Sequence, residues 1–336
     1  MSEQANADAL PAEFATTVPA DFPIRLIGYE TQEEGERIGY AAASVISGLS
    51  RRIDMRDLDG ITVAKDFRRA AEGLDIGVPG HHNLRQTKGP RLGVSMTVPV
   101  MRENKIKSHM LFNDADLQGL LVPEDISSAA WPVQVLALEC AHVLVRSAFN
   151  SRFPDVILRQ QLPVLDLMRW TAITTSWDAF AAASLSAPFG ESQVENLEKA
   201  FLEALEQAPN DSNNQVIEYR KHANVDAVLG GVFEVWGTLT KIAGYLLGTL
   251  DGRGKKLEDC PAVITALEGH PFKPVIEKLN EIFISLAKDF GRWENSTVFE
   301  PIGDLVQGLV ENAGLHITRL PEGKLYVHIP HTPATV

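Results

Sequence analysis

Apolar side chains recur every three or four residues in several long stretches of the chain, and this spacing predicts helices. A first helix is predicted over residues 31–52, where Thr31 and Glu34 fit a capping box. A central helix is predicted over residues 131–150, with Pro132 in its first turn, where the missing N–H costs nothing. The apolar face of this central helix comprises Leu136, Cys140, Val143 and Leu144.

Other stretches alternate between apolar and polar residues, which is typical of strands. Residues 92–112 predict an antiparallel hairpin with its turn at 102–105, and residues 61–64 predict a short strand before it. A second hairpin is predicted over residues 316–329, at the end of the chain. Helices and antiparallel hairpins together indicate an α+β fold.

The second half of the chain is predicted to be mainly helical. Helices are expected over residues 162–186, 191–207 and 215–250, and the polar segment PNDSNN at 209–214 predicts a linker. The expected organisation is therefore a flexible tail at 1–22, an α+β domain at 23–208 and a helical domain with a C-terminal hairpin at 209–336.

The charge balance excludes some classes of function. The formal net charge of −13 argues against a nucleic-acid partner, because phosphate contacts need clustered Lys and Arg. The N-terminus has no basic and apolar signal-peptide pattern, and charged residues interrupt the apolar stretch 225–250, so no membrane span is expected. Two distant cysteines make no disulfide framework. We expect a cytoplasmic protein.

The central helix carries the most distinctive chemistry in the sequence. Its segment Leu138-Glu139-Cys140-Ala141-His142 would become H-E-x-x-H if a histidine replaced Leu138. In that motif two histidines one helical turn apart bind zinc, and the glutamate acts as the general base that activates a water. Glu139 and His142 are present, whereas the first histidine is not.

A second stretch, Ser176-Trp177-Asp178-Ala179-Phe180-Ala181-Ala182, resembles the helix that follows H-E-x-x-H in gluzincin-type proteins such as the ImmA/IrrE-like peptidases. In that family an antiparallel strand runs beside the metal-binding helix, and a glutamate on the later helix is the third zinc ligand. The order of helix, strand, hairpin and Glu–His helix over residues 30–187 is similar. The resemblance therefore implies a zincin-like domain at 23–208.

The resemblance also implies roles for individual residues. Glu139 would be a vestigial general base and His142 a vestigial metal ligand, both facing the hairpin, while Leu138 and Ala179 occupy the positions of lost ligands. Because neither replacement has a donor atom, we expect no cofactor. The chain is then a degenerate zincin-like metallopeptidase homologue, a pseudoenzyme with a binding or regulatory role.

Two alternatives remain open from the sequence. In the first, the chain is an active metal-dependent peptidase or other hydrolase that binds zinc through His142 with the non-standard ligands His81, His82 or His109. In the second, the Glu–His spacing is accidental and the helix is only structural. In the degenerate interpretation, the broad apolar face of residues 215–313 predicts a protein partner or a homo-oligomer.

Overall fold

The computed structural model describes residues 15–78, 95–122, 126–154, 156–158, 161–321, 324–333 and 335. These residues form a mixed α+β structure that contains a small sheet and a C-terminal β-hairpin, which confirms the predicted fold class at this level. The chain divides into two compact units inside the central helix. The first takes the described residues up to Leu144, and the second takes those from Val145 onward.

The first unit contains the mixed sheet and the helices near it. Its elements in chain order are β1 Ile24–Ile27, α1 Gln32–Leu49, β2 Leu58–Ala64, α2 Phe67–Glu72, β3 Met96–Arg102, β4 Lys105–Asn113, α3 Asp114–Leu117 and the first part of α4 Ile126–Arg152. The strand order is β1-β2-β4-β3. Strand β3 is an edge strand and pairs antiparallel with β4, whereas β1 with β2 and β2 with β4 are parallel pairs.

The hairpin of β3 and β4 confirms the predicted one. Its turn residues Glu103 and Asn104 have φ of 48° and 62°, the left-handed pair that a two-residue turn needs between twisted strands. Thr31 caps α1 by accepting a hydrogen bond from the Glu34 N–H, as its sequence indicates. The sequence did not predict β1, which pairs with β2 in parallel.

The strand register assigns side chains to the two faces of this sheet. Helix α1 packs on the face that carries Leu26, because a β-carbon at Gly39 would lie 3.1 Å from Leu26 Cδ2. Leu26 aligns with Phe112 through the register of β1, β2 and β4, and Thr97 on β3 aligns with Met110. Since side chains alternate along a strand, Thr97 lies on the same face as α1.

The second unit is helical apart from its hairpin. Its elements are the end of α4, α5 Val164–Ser186, α6 Val194–His222, α7 Val225–Gly252, α8 Pro261–Leu267, α9 Lys273–Lys288, α10 Glu300–Asn312, β5 His316–Arg319 and β6 Leu325–His328. Short 3₁₀ turns in the two units occur at Gln118–Leu121, Leu257–Asp259 and Ser296–Phe299.

Glycines along α7 allow its backbone to approach that of α5. A β-carbon at Gly248 would lie 2.1 Å from the carbonyl oxygen of Phe180, and the same crowding occurs one turn to either side, at Gly244 and Gly252. Only a hydrogen atom fits at these positions, so the spacing of four residues specifies which face of α7 meets α5.

The predicted linker at 209–214 is wrong, because these residues lie inside α6. Ala208, Ser212 and Val216 are buried at helical spacing, and burial of this face outweighs the local turn preference of the segment. The chain instead breaks after His222, where Ala223 has φ of 54°. The predicted helix 215–250 is therefore two helices, and the compact units divide inside α4 rather than at residue 209.

Helix α7 belongs to the region predicted to bind a partner, and most of its apolar face is covered by the chain itself. Most apolar residues of α7 from Val228 to Leu250 are buried, where this helix packs on α5 and α6. Among the described helices, Ser127–Arg152 alone is long and apolar enough to pass a membrane-span test, and 61% of its most apolar window is buried inside the protein. Core helices pass the same test.

Candidate functional site

Glu139 on α4 is a buried carboxylate that contacts the edge strand of the sheet. Its side chain is only 3% exposed. The Ser95 hydroxyl donates to Oε1 at 2.8 Å, and the Thr97 hydroxyl lies 2.7 Å from Oε2 and 3.2 Å from the backbone oxygen of Glu139. Each carboxylate oxygen therefore accepts a hydrogen bond from a different hydroxyl, and the predicted contact between Glu139 and the hairpin is present.

The local sequence explains how two donors meet one acceptor. Ser95 and Thr97 are two residues apart along an extended segment, so their side chains point to the same face. This is the face that carries α1, and α4 places Glu139 against it. A buried carboxylate without donors is strongly unfavourable, so these hydrogen bonds are required for Glu139 to be buried at this position.

The remaining residues of the motif lie on the same helix. His142 is 5% exposed, and Leu138, one turn before it, is half-buried. The Leu138 side chain has no donor atom for a metal. Burial, and then the charge of Glu139, raise the pKa of the Cys140 thiol far above its ordinary value, which disfavours the thiolate form near neutral pH.

The structure contradicts His109 as an alternative ligand beside His142. In the hairpin register His109 is opposite Val98, so it points to the face of the sheet away from Thr97 and Glu139. Both of its ring nitrogens are engaged there: Nδ1 is 3.0 Å from Asp59 Oδ2, and Nε2 is 2.9 Å from the hydroxyl of Thr62. The sequence-based assignment failed because residue type alone does not specify the face.

The other two proposed ligands, His81 and His82, lie outside the described residues. Within the described ranges, no group of three or more His, Cys, Asp or Glu side chains is arranged to hold a metal ion.

Ala179, the position predicted for a lost glutamate ligand, belongs to the second unit and is buried on α5. Its β-carbon lies 3.4 Å from where a β-carbon would be at Gly244 of α7, so Ala179 lines the close contact between these helices. Asp178 beside it pairs with Arg146 at 2.7 Å and is not a spare ligand. The predicted proximity of Ala179 to His142 stays a prediction.

The tryptophan of the same stretch has a packing role. The Trp177 ring is surrounded by an aromatic cluster, with centroids 5.7 Å from Trp293 and 5.8 Å from Phe299. Stacking of Phe180 on Phe283, at 4.8 Å, extends this cluster. These contacts account for the bulky residues of the segment without any ligand.

Sequence reasoning identified Glu139 but missed its hydroxyl donors. Ser95 and Thr97 are polar residues that alternate with apolar ones on a strand predicted to lie beside α4, but this pattern does not identify Glu139 as their acceptor. As described, the site is a carboxylate held by two hydroxyls with a buried imidazole one turn away. No family model, curated protein or solved structure matches the chain.

Proposed function

We propose that this chain is a degenerate zincin-like metallopeptidase homologue, a non-catalytic protein with a binding or regulatory role. The observation that carries the proposal is the state of Glu139. Its carboxylate is buried and bonded to the hydroxyls of Ser95 and Thr97, which gives it a structural role in joining α4 to β3.

The order and direction of the elements support the zincin part of the proposal. The sheet of the first unit has an antiparallel edge strand, β3, and the helix with Glu139 and His142 contacts that strand. The family resemblance implies the same placement of an edge strand beside the metal-binding helix.

The chemistry of the site supports the non-catalytic part. A general base must contact the water that it deprotonates, and in zincins a metal lowers the pKa of that water. Hydroxyl donors engage both oxygens of Glu139, and Leu138 provides no ligand to complete a metal site with His142. These features favour a non-catalytic role, because the motif has neither a complete pair of metal ligands nor a carboxylate free of hydroxyl donors.

The binding role requires a partner, which the proposal takes to be a protein. The sequence placed this partner on the apolar face of residues 215–313. Because α7 buries most of its apolar face against α5 and α6, the proposal places the partner on another surface of that range.

The change Glu139→Gln tests whether this carboxylate is structural or catalytic. A structural carboxylate that accepts two hydroxyl bonds should cost stability when it is neutralised, by about 1 to 2 kcal/mol. Removal of a catalytic carboxylate commonly leaves stability unchanged or raises it, because active sites trade stability for activity. Chemical denaturation and a peptidase assay on both proteins measure the two properties. An unchanged or higher stability, together with loss of peptidase activity, would refute the proposal.

Restoring one ligand tests the zincin relationship within α4 alone. In the Leu138→His protein, two imidazoles are one turn apart on the same face, so they should bind one zinc ion together. Adding His142→Ala to this protein should abolish the binding. Leu144→His is the matched control: it also replaces a half-buried leucine of α4, but it is two residues from His142 and faces away.

Isothermal titration with zinc distinguishes the outcomes. We expect zinc binding that depends on His142 in the Leu138→His protein, and no binding that depends on His142 in the wild type or the Leu144→His protein. Wild-type zinc that is lost in His142→Ala would instead favour the active hydrolase. Failure of Leu138→His to bind zinc would contradict the zincin resemblance.

A further inference from the structure

The C-terminal hairpin carries two histidines directly opposite each other. His316 on β5 pairs with His328 on β6, and both side chains are exposed on the same face. Their ring centroids are 6.1 Å apart, and their planes are 20° from parallel. Neighbouring cross-strand pairs do not repeat this chemistry, so the hairpin presents one pair of adjacent imidazoles.

The backbone holds this pair in a fixed register. The N–H of Leu320 donates to the carbonyl oxygen of Lys324 at 2.8 Å, and in an antiparallel ladder every second pair is hydrogen-bonded. His316 and His328 are four positions along from that pair on each strand, so they also form a hydrogen-bonded pair. Their β-carbons are then about 5.5 Å apart, a separation that both imidazoles can span.

Contacts at both ends of the hairpin attach it to helices of the second unit, to which the hairpin itself belongs. Arg319, at the end of β5, forms an ion pair with Asp166 of α5. After β6, the Arg220 guanidinium of α6 donates to the carbonyl oxygens of Ile329 and Pro330, at 3.1 and 2.8 Å. A two-stranded hairpin alone is marginally stable, and these anchors reduce the conformational freedom that a bound ligand would otherwise have to remove.

The separation of the rings suits a transition-metal ion. Zinc bonds to imidazole nitrogen at about 2.0–2.1 Å, so two imidazoles at a tetrahedral zinc have centroids roughly 5 Å apart. The observed 6.1 Å exceeds this separation by about 1 Å, and rotation about χ1 and χ2 of the two side chains would have to bring one nitrogen of each ring to the ion. Both rings are exposed, so solvent occupies the space that this rotation needs.

From this geometry we propose that His316 and His328 form a surface site for a divalent transition-metal ion such as Zn²⁺, Ni²⁺ or Cu²⁺. The two imidazoles supply two ligands, and water completes the coordination, so the site stays open to a further ligand. Imidazole favours these ions over Mg²⁺ and Ca²⁺, which prefer oxygen ligands. This proposal is independent of α4 and of the zincin relationship.

Titration of the chelator-treated full-length protein with zinc chloride tests the site. We expect saturable binding of one zinc per chain, weakened about tenfold or more by either His316→Ala or His328→Ala, because each change removes one of two ligands. His331→Ala is the matched control, since it removes an exposed histidine three residues beyond His328. Circular dichroism checks that each variant is folded.

Two results would overturn the proposal. The first is that neither His316→Ala nor His328→Ala changes the zinc affinity. The second is that His331→Ala lowers the affinity as much as they do, which would indicate unspecific binding to surface histidines. A further arm with His142→Ala keeps this test separate from the one on α4: binding through the hairpin should persist in that variant, whereas binding at α4 should disappear. Magnesium chloride should give no binding in any variant.

Discussion

Replacing the Thr97 hydroxyl by a methyl group should destabilise the first unit. Thr97→Val keeps the size and the β-branched shape of the side chain, so the strand and its packing are preserved. What is lost is the hydroxyl 2.7 Å from Oε2 of Glu139, at a position where both side chains are buried. The Glu139 carboxylate then keeps the hydrogen bond from the Ser95 hydroxyl.

The expected cost follows from the charge of the acceptor. A hydrogen bond to an ionised group contributes about 1.5–3 kcal/mol, against about 0.5–1.5 kcal/mol for a neutral pair. Thr97→Val should therefore lower the free energy of unfolding of this unit by about 1.5–3 kcal/mol. In the Glu139→Gln background the same change should cost only about 0.5–1.5 kcal/mol, because the acceptor is a neutral amide.

Hydrogen exchange with mass spectrometry is the suitable assay, because it reports local unfolding for peptides of β3 and β4 separately from the second unit. Thr318→Val is the control, since it makes the same chemical change at an exposed threonine on β5. A cost below about 0.5 kcal/mol for Thr97→Val would refute the reasoning. So would an equal cost in the Glu139→Gln background, since the hydroxyl would then not be bonded to the carboxylate.

Two other predictions test the packing and the pH response. Gly248→Ala should lower the melting temperature through overpacking worth about 1–3 kcal/mol, because its β-carbon would lie 2.1 Å from the Phe180 carbonyl oxygen. Gly308→Ala on α10, where nothing lies within 4 Å, should instead stabilise by about 0.5–1 kcal/mol, and equal effects of the two would contradict the close approach of α7 to α5. Burial, opposed by Asp59, lowers the pKa of His109 below its ordinary 6.5, so the unfolded chain binds more protons and stability should fall as the pH decreases below that value. Urea denaturation between about pH 7 and pH 5 should show a smaller fall for His109→Gln than for wild type, and identical slopes would show that His109 does not contribute.

The sequence by itself determined most of the elements near the site. Period-two alternation and a polar turn predict the β3–β4 hairpin, and helical spacing predicts α1, α4 and α5. These signals are local, because each depends on which residues within one element must be buried. The Glu–His spacing on α4 is equally local, since residues three or four apart always share a helix face.

Only the tertiary structure decided what those residues contact. The turn-like segment at 209–214 is helical because burial of the α6 face that carries Ala208, Ser212 and Val216 outweighs local preference. Strand β1 forms because β2 offers it a parallel partner. The sequence made His109 a candidate metal ligand, but the strand register places its side chain on the face of the sheet that points away from Glu139. The hydroxyl donors to Glu139 come from residues more than 40 positions away in the chain, so no local pattern could pair them. Periodicity specifies which face of an element is buried, and the fold specifies which partner that face meets.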